Sequence, residues 1–296
     1  MKICRFGENR LGVYDAEAGT VADISGALQA LPPQRYPLPG HDLLIANLAK
    51  IRAEAKRLLP RAKRTPLARV KLLPPVANPG KIIIAPLNYS DHVSEAQGDP
   101  ALSHGRFKDP EIARLGMAMK ATSSLAGPSE GVRLRRPLVG MENRNDHEIE
   151  LVAVIGRRGT NITRKNALKH VCGYCIGLDM TLRGPQFPGF RKSIDTYGVI
   201  GPWLVTADEF GDPAAKNLWL SVDGEERQRS NTKYLIYDLP KLIEYASSFY
   251  TLHPGDLIYT GTPGGVGPVK PGDRIEANID GIGRMVVMVS EAAAPS

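Results

Sequence analysis

The stretch NDHEIELVAVI, residues 145–155, sets Glu148 and Glu150 one residue apart at the start of an apolar run. Side chains alternate faces along a strand, so the two carboxylates share a face. Val152 and Val154 continue that face, which is therefore covered rather than solvated. Two carboxylates at the mouth of a covered strand need a cation, a proton or a set of donors. Asp179 ends a second apolar strand, YCIGLD. Glu148, Glu150 and Asp179 make an all-carboxylate set, whose hard oxygens suit Mg²⁺ or Mn²⁺, and Ca²⁺ less well where positions stay open for substrate. Salt-bridged strand-end glutamates are the alternative that spacing leaves open.

Arg183, Gln186, Arg191 and Lys192 follow Asp179 closely. Beside a metal they would hold a carboxylate or oxo group; otherwise they are ordinary surface charge. In NYSDHVSEA, His92 and Glu95 lie three residues apart and share a face if that segment is helical. A carboxylate behind an imidazole is an arrangement for a general base that activates water, and equally a surface pair. His147 precedes the glutamates and His170 ends a predicted helix, and neither is given a role. Cys172 and Cys175 form a C-x-x-C inside a strand, where residues i and i+3 fall on opposite faces; they are expected as buried small hydrophobes rather than a redox pair. YTGTPGGVGPVKPGD is rich in Gly and Pro without the G-K-[ST] of a phosphate loop, and predicts a wide loop whose backbone approaches a ligand closely.

The elements that must position these groups are mostly strands. KIIIAPL, EIELVAVIG, VCGYCIGLDM, WLVTAD, LWLSVDG, GDLIYTG and RMVVMVS are strand candidates between residues 80 and 292. Helices are predicted over residues 41–59, at NALKHV, and at LPKLIEYASSF. The order is not a βαβ repeat, so a Rossmann fold and a TIM barrel are excluded and a β-rich α+β domain is expected. Residues 1–75 form a small accessory α+β segment, and residues 60–80, rich in Pro and basic residues, a linker over a surface.

Composition bounds the function. The chain has 296 residues, 42% of them hydrophobic, enough for a substantial core. Three cysteines do not make a disulfide framework. No apolar run is long enough for a membrane span and the N-terminus lacks a signal-peptide core, so a cytoplasmic protein is expected. The net charge of +7 suits an anionic ligand. The densest basic stretch, residues 55–71, has no interleaved aromatics and no zinc-finger or RNA-binding signature, which argues against nucleic acid.

Taken in order, NYSDHVSEA, MKATSSLAGP, HEIELVAVIG, VCGYCIGLDMTLRGPQ, RKSIDTYGVIGPWLVTADE and GDLIYTGTPGGVGPVKPGD resemble the fumarylacetoacetate hydrolase superfamily, over about residues 81–289. The resemblance implies a mixed β-sheet roll, usually a homodimer. It implies Mg²⁺ (or Mn²⁺) ligands at Glu148, Glu150 and Asp179, and catalytic roles for His92, Glu95 and Lys192. Substrate contacts fall to Tyr89, Arg183, Gln186 and Thr262. The implied substrate is a small anionic 2-oxo acid. The implied reaction is hydrolysis of a C–C bond in a 2,4-dioxo acid through a metal-stabilised enolate, with Glu95 and His92 on a closing lid activating water. The alternative is isomerisation or decarboxylation of a hydroxymuconate-type diacid or of oxaloacetate, with Arg106 and Lys108 as cations for a distal carboxylate. A non-catalytic metal-stabilised or binding protein is the third reading, which the absence of any of Glu148, Glu150, Asp179 or Lys192 would favour; all four are present. Leu178 and Gly184-Pro185 depart from the family's common pattern between the metal aspartate's strand and Gln186, and residues 98–116 are longer than expected.

Overall fold

The computed structural model describes residues 1–99, 102, 112–135 and 144–292. Arg106 and Lys108 lie outside them, as does most of the 98–116 segment.

The strand Ile149–Ile155 is buried at every position. Ile149, Leu151, Ala153 and Ile155 face one apolar cluster, while Val152 and Val154 face a second. Both faces are covered, so the run past the glutamates is continuously apolar. On one side it pairs antiparallel with Val171–Asp179 and on the other with Leu257–Tyr259. These three strands are the middle of a mixed sheet running Arg64–Pro66, Thr20–Asp23, Arg10–Asp15, Lys2–Phe6, Gly198–Thr206, Val171–Asp179, Ile149–Ile155, Leu257–Tyr259, Ile82–Ile84 and Ala118–Lys120. Leu257–Tyr259 and Ile82–Ile84 run parallel. A second sheet of Glu225–Asn231, Asn217–Val222, Arg274–Ile279, Gly283–Glu291 and Val132–Leu134 contributes to the first cluster through Leu218, Leu220, Ile275, Ala277 and Val287. A short three-stranded sheet of Thr181–Leu182, Asn145–His147 and Gly267–Pro268 continues the glutamate strand outward. The architecture is the β-rich α+β arrangement that the strand pattern predicts. Among the described residues no helix is long and apolar enough to cross a membrane.

The N-terminal residues are part of this sheet. Ile3 pairs with Leu204, and Ile3, Leu11, Val13, Ile24, Ile45, Leu48 and Ile51 build the second cluster together with Val152, Val154 and Tyr259. They cover the face on which the two glutamates stand.

Three local expectations differ from the structure. The helix over residues 41–59 is two helices, Leu43–Ala46 and Leu48–Leu58. They are interrupted at Asn47, whose side-chain amide bonds back to the Leu43 carbonyl. The 60–80 stretch does not simply run over a surface. It adds two strand pairings, and it buries Leu72 and Val76. Cys172 and Cys175 do not lie on opposite faces. The register shifts across Cys172, where Val154 pairs with Gly173 but Ile155 with Val171, and both cysteines contact the second cluster. A bulge of this kind adds one residue and inverts the alternation. Burial pushes the Cys4 and Cys172 thiols up to about 12, so neither is a reactive thiolate.

Ile51, fully buried beneath the glutamate strand, tests the N-terminal contribution. Ile51→Ala is expected to destabilise the protein by about 2–5 kcal/mol in urea denaturation, whereas Arg57→Ala on the exposed side of the same helix changes little.

Candidate active site

Asp179 stands opposite Glu148. The Asp179 amide donates to the Glu148 carbonyl at 2.9 Å, and Ile149 pairs with Leu178 in the same ladder. Register and alternation therefore put Glu148, Glu150 and Asp179 on one face at the end of two adjacent strands. One oxygen from each lies within 4.8 Å of the others, and all three residues are buried. Opposite Glu150 the neighbour is Gly177, where a Cβ would collide with Val152 and come within 2.6 Å of the Tyr259 ring. The absent side chain lets Tyr259 lie beneath the carboxylates, its hydroxyl donating to the Val199 carbonyl at 3.2 Å.

Cations surround the trio. Lys192 follows the short helix Pro188–Arg191 and reaches Glu148 at 2.7 Å and Asp179 at 2.5 Å. Lys120, at the end of an edge strand, contacts the other oxygen of Asp179. Arg183 bonds Asp146 at 2.7 Å and Glu148 at 2.8 Å, and Arg144 completes the row at 2.9 Å from Asp146. Four carboxylates (Asp146, Glu148, Glu150, Asp179) thus meet four cations (Lys120, Arg144, Arg183, Lys192). Burial would push the Glu148 carboxyl up, but Lys192 and Arg183 outweigh it and hold it well below the usual range. Glu150 behaves oppositely. Burial and then the Asp179 charge push it well above the carboxylate range, and among the described residues no ammonium or guanidinium contacts it. Its hydrogen bond comes from the Gly261 amide, at 2.6 Å. A buried carboxylate facing two others with no cation of its own is what a divalent ion would balance, and the all-oxygen donor set fits a hard metal. Burial lowers the Lys120 ammonium and Lys192 adds repulsion, against the pull of Asp179.

Across a cavity of about 260 Å³ stands His92, on the helix Ser90–Gly98. Its Nδ1 lies 2.9 Å from Glu95, and the second Glu95 oxygen accepts from the Gly265 amide at 3.1 Å. Asn88, just before this helix, ties it to the central sheet by donating to the Thr260 and Tyr237 carbonyls. The cavity is lined on its polar side by His92, Glu148, Glu150, Asp179, Arg183, Arg191, Lys192 and Thr262, and on its other side by apolar groups including Leu87, Leu102, Leu115 and Phe187. Of the residues singled out from sequence, these eight meet at one cavity, with Glu95 behind His92. Arg183 is turned onto carboxylates. Tyr89 and Gln186 are not among the lining residues; Tyr89 is buried behind them.

Four residues of this network escaped the sequence reading: Arg144, Asp146, Lys120 and Gln228. Lys120 closes the apolar run MAMK, residues 117–120, and a lysine at a buried strand end was its signal. Gln228, a lone amide among charged residues, is buried and donates to Thr262 at 2.8 Å.

Added Mn²⁺ is expected to raise the melting temperature of the protein by several degrees at saturating concentration, since an ion that binds only the folded state stabilises it by about 2.7 kcal/mol at a hundredfold excess over Kd. Glu150→Gln and Asp179→Asn should each abolish that rise in a thermal scan while still folding without the ion.

Comparison with known proteins follows this geometry. The family model for the fumarylacetoacetate (FAA) hydrolase C-terminal region matches residues 81–290. A maleylpyruvate hydrolase of Aquipseudomonas alcaligenes is 51% identical over 290 residues, 98% of this chain and 99% of the relative. The crystal structure of maleylpyruvate hydrolase from Sphingobium sp. SYK-6, in complex with manganese(II) ion and pyruvate, superposes with a TM-score of 0.82 at 38% identity, covering 99% of this chain and all of that one. A 5-carboxymethyl-2-hydroxymuconate delta-isomerase from Mycobacterium smegmatis gives 0.71 at 27% identity, with coverage of 99% and 100%. With the match spanning residues 81–290 and a half-identical relative spanning nearly the full chain, this protein belongs to the fumarylacetoacetate hydrolase family.

Proposed function

We propose that the chain is a divalent-metal-dependent hydrolase that cleaves the C–C bond of a 2,4-dioxo acid, an acylpyruvate of the maleylpyruvate or fumarylpyruvate kind. The observation that carries this reading is the His92–Glu95 pair facing the carboxylate trio across one cavity. A divalent ion held by Glu148, Glu150 and Asp179 would supply Lewis-acid charge to an enolate oxygen. Mg²⁺ is the expected ion and Mn²⁺ fits the same oxygens. Lys120, Arg183 and Lys192 already stand on these carboxylates, so an ion added there leaves a positively charged floor that suits an anionic oxo acid.

The protein's residues then divide the work. Glu95, itself fixed by the Gly265 amide, accepts from His92 Nδ1–H and leaves Nε2 as the acceptor facing the cavity. His92 takes a proton from water, and the oxygen adds to the carbonyl remote from the substrate carboxylate. The bond between that carbonyl carbon and its neighbour breaks, giving a carboxylic acid and a pyruvate enolate that takes a proton at carbon. Lys192 supplies positive charge beside the enolate, preorganised by Glu148 and Asp179. The apolar wall shelters the acyl chain from bulk water. A histidine–glutamate base could also move the proton of an isomerisation, the activity in the name of the mycobacterial relative at 27% identity; the likeness to hydrolases at 51% and 38% identity favours hydrolysis. A cytoplasmic homodimer completes the reading; exposed apolar side chains at Tyr234, Ile236 and Phe249 would suit pairing with a second copy.

With Mn²⁺ and acetylpyruvate, the enolic ultraviolet absorbance is expected to fall with equal amounts of pyruvate and acetate appearing, and EDTA to stop it. His92→Ala should lower turnover by about 10²–10⁴-fold while leaving pyruvate binding in place. Metal-dependent loss of absorbance without acetate would overturn hydrolysis in favour of isomerisation or decarboxylation.

A further inference from the structure

Gln228 is the one fully buried side chain of the strand Glu225–Asn231, whose other members are charged or polar and partly or wholly exposed. A register shift puts it there: Leu220 pairs with Gln228 but Ser221 with Glu226, so Arg227 is an extra residue that re-aims the next side chain. The Arg227 carbonyl bulges against Gly265, which has φ of +92° and no room for a Cβ.

The Gln228 carboxamide is saturated. Its oxygen accepts from the Ile149 amide at 3.2 Å and from His147 Nδ1 at 3.1 Å. Its nitrogen donates to the Pro263 carbonyl at 2.9 Å and to the Thr262 hydroxyl at 2.8 Å. Two of these partners are backbone groups of fixed polarity. The Ile149 amide only donates and the Pro263 carbonyl only accepts. Exchanging the amide oxygen and nitrogen would set donor against donor and oxygen against oxygen, so the orientation is forced. Thr262 therefore receives a hydrogen bond and must use its own proton elsewhere. Among the described residues no acceptor takes that proton, and Thr262 lines the cavity beside the carboxylate trio.

We propose that Gln228 is a positioning residue that fixes the polarity of Thr262, presenting the hydroxyl as a donor to an anionic oxygen of the substrate. The consequence is selective: the subsite accepts the carboxylate of a 2-oxo acid and disfavours a ligand offering a donor at that point. The inference rests on the hydrolase reading above, and the chain from backbone polarity to hydroxyl direction is specific to this strand's bulge.

The test is a double-mutant cycle on the full-length protein loaded with Mn²⁺, with pyruvate as the binding probe and acetylpyruvate as the substrate. Gln228→Glu keeps the acceptor for Ile149 and His147; its one acid proton is taken by the Pro263 carbonyl, so it no longer donates to Thr262 and instead accepts from that hydroxyl. It is expected to weaken pyruvate binding and raise KM by about ten- to a hundredfold, the worth of a hydrogen bond to a charged group, with kcat changing far less. Thr262→Val should lose a similar factor, Thr262→Ser should retain wild-type affinity, and Gln228→Glu should cost nothing further on the Thr262→Val background. Additive losses would make Gln228 merely structural and overturn the proposal. Unchanged pyruvate affinity in Thr262→Val would overturn it without any Gln228 variant. If the wild-type protein neither binds pyruvate nor cleaves acetylpyruvate, the hydrolase reading fails instead.

Discussion

Negative charge buried at the end of two strands is the constraint around which this protein is arranged. Glu148, Glu150 and Asp179 are forced together by strand register, and each is almost wholly removed from water. Left alone they would repel one another strongly in a medium of low polarity. The cations gathered on them come from distant places in the chain: an edge strand for Lys120, the end of a short helix for Lys192, and a three-stranded extension for Arg183 and its partner Asp146. The cluster thereby joins sheet edge, helix and extension, and binding chemistry and architecture are the same set of contacts. Glu150, the acid with no such cation among the described residues, is where the balance is left for an ion to complete.

A second organising element is the turn from Gly261 to Gly267. Its amides hold Glu150 and Glu95, its threonine is held by Gln228, and its far end pairs with His147. One short backbone segment thus meets an acid of the trio, the acid paired with His92 and the network around Thr262. Glycine is required where that segment touches other backbone. At Gly265 a positive φ and the Arg227 carbonyl exclude any side chain. The turn ties the His92–Glu95 side of the cavity to the carboxylate side, which limits how far either can drift from the other.

The legible part of the sequence was what obeys a local period. Glu148 and Glu150 stand out because polar residues on a covered face violate the strand pattern, and His92 with Glu95 because their spacing fits one turn of helix. The β-rich class followed from short strands without βαβ order. What stayed hidden depends on breaks in a period or on distant pairing. The bulge at Cys172 moves both cysteines against one cluster, and no local signal marks it. The bulge at Arg227 buries Gln228 in a strand that otherwise has the polar look of a surface. Lys120 is buried because Asp179, 59 residues away in sequence, is there to meet it. Tyr89 and Gln186 sit near the right motifs, yet their side chains are not among those lining the cavity, since motif proximity fixes a backbone position and not a direction.

The pairing of Ile3 with Leu204 has a consequence for how the molecule comes into being. The strand that carries Glu148 and Glu150 is covered on one face by the first sixty residues, while its flanking strands lie later in the chain. During synthesis the opening segment emerges early with an apolar surface and must wait for residues near 204 before its edge is closed. Contacts so distant in sequence close slowly, because the loop entropy is lost before the contact is gained. The strand that carries the two glutamates is therefore among the last parts to be sealed, and the interval before sealing is when the nascent chain is most exposed to aggregation and to chaperones.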